Sequence, residues 1–302
     1  MDKFENLISR AESLIDKLEA LLPAQNLPVD WAATAWRWVM HNGHGSLQAV
    51  THPHAISLDN IRFIDAQKAE IVRNTQQFIQ DLPANNVLLT GARGTGKSSL
   101  VKALLPKFSV QGLRLIEVEK HDLIHLSQIV TLVQNRAENA NLKFIIFCDD
   151  LSFEADDVSY KALKVVLDGS LVSASENVLV YATSNRKNLM PEMMADNLAF
   201  KQAGGEIRPN ETLDEKVALA ERFGLWLSFY AFDQDEYLAI AENWLGTFNG
   251  LNCKVAWDES ARQAALSFSH TRGMRSGRVA YQFARDYAGK INLAGKIQLK
   301  ND

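Results

Sequence analysis

The run GARGTGKSS at Gly91–Ser99 limits what this chain can fold into more than any other feature. Its spacing, Gly91-x-x-x-x-Gly96-Lys97-Ser98, fits the P-loop pattern without a mismatch. An apolar run, Val87-Leu88-Leu89, leads into it, and Leu100-Val101-Lys102-Ala103-Leu104 continues as helix. Glycines let backbone N–H groups of Gly91, Ala92, Arg93, Gly94, Thr95 and Gly96 converge on phosphates without Cβ interference, and a helix N-terminus adds positive potential. Lys97 supplies a point charge for the β/γ-phosphates, with Ser98 placed to hold Mg²⁺ and Ser99 completing the motif.

Hydrophobic periodicity supplies the frame around this loop. Strands are predicted at the run from Val87, at LRLIEV from Leu113, at KFIIFCDD, at NVLVYATSN and at LWLSF from Leu225, alternating with helical segments. Strands apolar on both faces imply an α/β fold with a mainly parallel, five-stranded sheet covered on both sides, and ligands at the strand C-termini. The third strand ends in Asp149-Asp150, where one carboxylate can join a Mg²⁺ shell (Asp149) and the other can polarise a water (Asp150). The fourth ends in Thr183-Ser184-Asn185, which makes Asn185 a candidate contact to the γ-phosphate or its attacking water.

Outside this core, Phe4, Leu7, Ile8, Ala11, Leu14, Ile15, Leu18, Leu21 and Leu22 recur at helical spacing, giving one amphipathic helix that packs on the body or docks on a partner. Trp31, Trp36 and Trp38 follow as core anchors. His41, His44, His52 and His54 lack acidic neighbours and the usual ligand spacings, so a polar connector is expected rather than a metal site. The stretch between Asn188 and Asp214 reads as an insertion loop. After Phe232, apolar stripes such as Tyr237, Ile240, Ala241, Trp244 and Leu245 predict an all-helical unit ending in a cluster of Arg272, Arg275, Arg278 and Arg285.

Composition narrows the function classes. Lys+Arg 32 against Asp+Glu 36, a net charge of −4, argues against coating nucleic acid by bulk charge, though a local patch could still form at the arginine cluster. Neither a leader nor a long apolar run is evident, and two cysteines make no disulfide framework, so a cytoplasmic protein with no membrane partner is expected.

The segments LLTGARGTGKSSLVKAL, FIIFCDDLSF, VYATSN, AERFG and TRGMRSGRVAYQFA together resemble an AAA+ ATPase, and most closely bacterial AAA+ ATP-binding proteins of unassigned role. The resemblance covers about Leu58 to Tyr287. It implies an α/β nucleotide-binding domain (58–231) and a helical lid (232–302), after the N-terminal helical region (1–57) that the periodicity predicts, with ATP or ADP and Mg²⁺ as ligands and ring or partial-ring homo-oligomers. Lys97 and Ser98 then match Walker A, Asp149 and Asp150 Walker B, and Asn185 sensor 1. Arg222 resembles the arginine finger; Arg275 or Arg278 resembles sensor 2. Many relatives of this kind carry Glu where Asp150 stands, which favours slower hydrolysis. The expectation is an ATPase acting on a protein or nucleic-acid client, with a nucleotide-gated switch as the alternative and a small-molecule kinase as the remote one.

Overall fold

The computed structural model describes residues 29–41, 43–53, 56–134, 141–153, 157–168, 177–185, 221–248 and 255–301. The expected N-terminal amphipathic helix, His54 and the 188–214 insertion lie outside these residues.

One sheet organises the molecule. Its strands are β1 (Ala35–His41), β2 (His44–Ala49), β3 (Val87–Gly91), β4 (Leu113–Val118), β5 (Lys143–Cys148), β6 (Val178–Ser184) and β7 (Leu225–Phe229), in the order β2-β1-β4-β5-β6-β3-β7. Every neighbouring pair is parallel except β1 with β2. All five predicted strands are present, but the sheet has seven. The additional two correct the reading of 1–57 as helical: residues 35–41 and 44–49 form an antiparallel hairpin that continues the sheet beside β4. Trp36 and Trp38 alternate inward along β1 and are buried, so they anchor the core as strand residues. His41 and His44 face each other across the turn, whose Gly43 takes a positive φ of 79°.

Burial follows the period of two along each strand. On β5, Ile145 and Phe147 face one layer while Phe144, Ile146 and Cys148 face the other. Helices α1 (Asp65–Ile79) and α2 (Lys97–Phe108) cover the first face through Ile71, Phe78, Leu100 and Leu104. Helices α3 (Leu126–Gln134) and α4 (Val158–Leu167) cover the second through Ile129, Val133, Tyr160 and Leu163. The C-terminal helices α5 (Gln234–Phe248), α6 (Glu259–Thr271) and α7 (Gly277–Asn301) extend the first layer, with Tyr237, Ala265 and Phe283 in the same continuous core. Among the described residues, no helix is long and apolar enough to cross a membrane.

Candidate functional site

Strand order decides what meets what. Because β6 lies between β5 and β3, the C-terminal ends of those strands deliver Asp149, Asn185 and the glycine loop to one edge of the sheet. The loop leaves β3 at Gly91, whose φ is 124° and where a Cβ would stand 1.9 Å from the Phe229 carbonyl oxygen. The Ala92 N–H donates to that same oxygen at 3.1 Å, so the end of β7 braces the loop. Gly94 and Gly96 also have positive φ, 73° and 96°, a conformation that a side chain would strain.

Lys97 opens α2 and is 5% exposed. Its Nζ donates to the carbonyls of Gly91 (2.9 Å) and Ala92 (2.7 Å) and to Asn185 Oδ1 (3.1 Å). Burial pushes the ammonium below its ordinary pKa; the nearby carboxylates of Asp150 and Asp149 oppose the shift, and the guanidiniums of Arg278 and Arg93 add to it. Asn185 closes a chain of contacts by donating from Nδ2 to Asp150 Oδ1. Asp149 accepts from Ser98 Oγ and from Thr183 Oγ1, each at 2.6 Å, and from the Asp150 N–H at 3.1 Å. Ser98 and Asp149 therefore present adjoining oxygens on one side of the loop, as a small hard cation requires. Asp150 itself sits at φ 53°, an unusual value away from glycine, held by its N–H bond to Thr183 Oγ1 at 2.9 Å and by the next residue's N–H, Leu151 to Thr183 O at 2.7 Å.

These groups open into a cleft of about 610 Å³, within the range of small-molecule sites. Arg93, Thr95, Lys97, Ser98, Asp149 and Asn185 line its polar end. Ile56, Ile61, Phe232, Ile240, Trp244 and Tyr281 supply its apolar lining, with the Trp244 and Tyr281 rings edge to face at 4.9 Å. The shape fits a ligand with a phosphate tail and a flat apolar head. Asn60 and Arg62, also on the lining, were not identified from the sequence because nothing local marks the approach to α1 as part of a site. Thr183 was likewise passed over, although a hydroxyl on the penultimate buried position before Asn185 was a readable signal.

The arginine candidates separate. Arg278 lines the cleft one residue after Gly277, whose N–H donates to Gly94 O at 2.8 Å. Arg275 instead bonds Gln234 Oε1 at 3.2 Å and is not on the lining. Arg222 precedes β7 at the end of that strand opposite the loop, the four strand steps from Leu225 to Phe229 alone spanning about 13 Å at 3.3 Å per residue, and pairs with Asp168 at the C-terminal end of α4. Cys148, beneath Asp149, is fully buried and its thiol is pushed up to about 12, so it is a packing residue.

The fold is the one the AAA+ resemblance implies. In three dimensions the chain is similar to the Thermotoga maritima RuvB Holliday junction branch migration motor at 14% identity and TM-score 0.50, covering 79% of this chain and 66% of that one. A single-substitution variant of the same RuvB gives 14% identity, TM-score 0.52, and the same coverage of 79% and 66%. The chain thus spans just under two thirds of the length of these proteins. No curated protein matches it in sequence. The family described as "Protein of unknown function (DUF815)" matches residues 31–291, which takes in the hairpin, the loop, the strand ends that carry Asp149-Asp150 and Asn185, and the C-terminal helices as far as residue 291. The chain belongs to that family, and its fold is that of the AAA+ proteins.

Proposed function

We propose that the chain binds ATP with Mg²⁺ in this cleft and hydrolyses it, that turnover is completed where one copy meets the next, and that the lid converts the cycle into work on another macromolecule. One observation carries the reading: two hydrogen-bonded chains, Lys97–Asn185–Asp150 and Ser98–Asp149, meet around one glycine cradle beneath the lid helices. Magnesium, when bound, would neutralise phosphate charge; Ser98 and Asp149 are the residues that would hold it.

The remaining work belongs to side chains. Lys97, parked on two carbonyls of its own loop, transfers its donors to phosphate oxygens. Asn185 orients a water and Asp150 accepts its proton as the water oxygen bonds to the terminal phosphorus and the bond to the leaving ADP oxygen breaks. Arg222 lies at the end of β7 opposite the loop, which favours donation to a neighbouring copy once Asp168 releases it. An arginine supplied that way accelerates phosphoryl transfer by roughly 10³ to 10⁵.

Phosphate release across a protein concentration series tests the interface reading. Turnover per chain should rise with concentration, and Arg222→Ala should bind MgATP normally yet lose at least 10²-fold of the turnover, the low side of about 10³. Turnover that is independent of concentration and unchanged in Arg222→Ala would exclude it. The alternative, a nucleotide-gated switch that recruits a partner, draws on Asp150: its short carboxylate is already tied to Asn185. Tight MgATP binding with no phosphate release at any concentration would favour that reading. The client, protein or nucleic acid, and the cytoplasmic setting belong to the same proposal.

A further inference from the structure

Four of the described arginines, Arg37, Arg73, Arg222 and Arg262, each face a carboxylate. Three arginines on the cleft lining, Arg62, Arg93 and Arg278, face no carboxylate among the described residues, and of these Arg93 and Arg278 flank one backbone bond. Neither has a hydrogen-bond or ion-pair partner among the described residues, both are exposed, and both line the same cleft. What holds them together is backbone. The Gly277 N–H donates to Gly94 O at 2.8 Å, and the chain carries Arg93 immediately before one end of that bond and Arg278 immediately after the other. The approach is tight enough to need glycine: a Cβ on Gly94 would stand 2.7 Å from the Ser276 side chain and 3.6 Å from Arg278 Cβ.

Two exposed guanidiniums on the two backbone segments joined at this seam, neither with a carboxylate partner, can share an anion that enters the cleft. We infer that Arg93 and Arg278 form a two-arginine clamp across this seam that grips the terminal phosphate of a nucleoside triphosphate, so that the loop itself, and not the lid alone, distinguishes triphosphate from diphosphate. This rests on the nucleotide reading above and adds a side chain to it. Arg93 is the new element, because loop positions of this kind contribute backbone N–H groups whatever their side chain.

Calorimetric titration of the full chain with MgATP and with MgADP tests the clamp. Each charge-assisted contact is worth about 1.5–3 kcal/mol, so Arg93→Ala should weaken MgATP at least ~10-fold while moving MgADP less than about threefold. Arg93→Lys should recover part of the difference and Arg93→Gln none. Arg93→Ala/Arg278→Ala should lose less than the product of the single losses, since both hold one phosphate. Equal weakening of the two nucleotides, or no change in MgATP, would overturn the clamp while leaving the cleft a nucleotide site. Wild-type chain that binds neither nucleotide would overturn both readings together.

Discussion

Asp150 concentrates the chemistry of the site in one unusual backbone position. At φ 53° a residue with a branched or bulky Cβ is disfavoured by about 1–2 kcal/mol, whereas Asn and Asp tolerate the left-handed region. The substitution Asp150→Asn therefore separates folding from catalysis. It should leave the thermal midpoint within a degree or two, because the shape and the Thr183 bond to the backbone N–H persist. Phosphate release should fall about 10²-fold or more, since an amide cannot take the proton. A variant that kept wild-type turnover would remove Asp150 from the mechanism and leave Asn185 to be explained otherwise. At this scale the sequence was informative where a motif fixes spacing: Lys97, Ser98, Asp149 and Asn185 all meet in the cleft. It was silent on how they pair, because the bond from Asn185 to Lys97 depends on β6 lying next to β3 across 88 positions of chain. It also left Arg275 and Arg278 open, since which of the two reaches the cleft is settled by where α7 begins against Gly94.

Elements were legible in proportion to their periodicity. The five inner strands carry continuous apolar runs, and each was placed from that pattern. The hairpin was missed although WRWV alternates and Asn42-Gly43 is a strong two-residue turn signal, because four histidines nearby read as connector. Its stability comes from tertiary contacts instead: Trp36 and Trp38 join the α3 and α4 face, and Arg37 pairs with Glu117 of β4, which Lys102 also meets at 2.9 Å. The start of α4 offers a test at the same scale. Asp157 caps that helix by accepting from the Ser159 N–H at 3.0 Å and pairs with Lys120 at 2.7 Å. Burial opposes its charge, but the Lys120 and Ser159 hydrogen bonds outweigh this and hold its carboxyl below the ordinary value. A depressed carboxyl contributes stability that is fully present above its unfolded pKa, about 4, and is lost as pH falls through the lower folded value. Wild type should thus exceed Asp157→Asn in thermal midpoint by a constant margin from pH 7 to about pH 5, with the margin closing below about pH 4. A margin that stayed unchanged to pH 3 would show that the Lys120 pair adds nothing.

For the molecule as a whole, sheet order does the assembling. Placing β3 between β6 and β7 brings the loop, the acidic strand end and the polar strand end to one edge, and lets α7 begin against that loop. The same topology leaves Arg222 before β7, at the end opposite the loop, where it pairs with Asp168. In the proposed function that arginine serves a neighbouring copy, and hydrolysis in the cleft is the claim on which the rest of the proposal stands. The most direct measurement is phosphate release from MgATP by the full chain beside Lys97→Ala, both verified as folded by thermal melting. The account predicts release from wild type matched by ADP formation and a loss of about 10²-fold or more in the variant, because Lys97 is the buried charge that meets the phosphates in the proposed function. Equal release from both proteins, or none from wild type with MgATP bound and copies assembled, would contradict it.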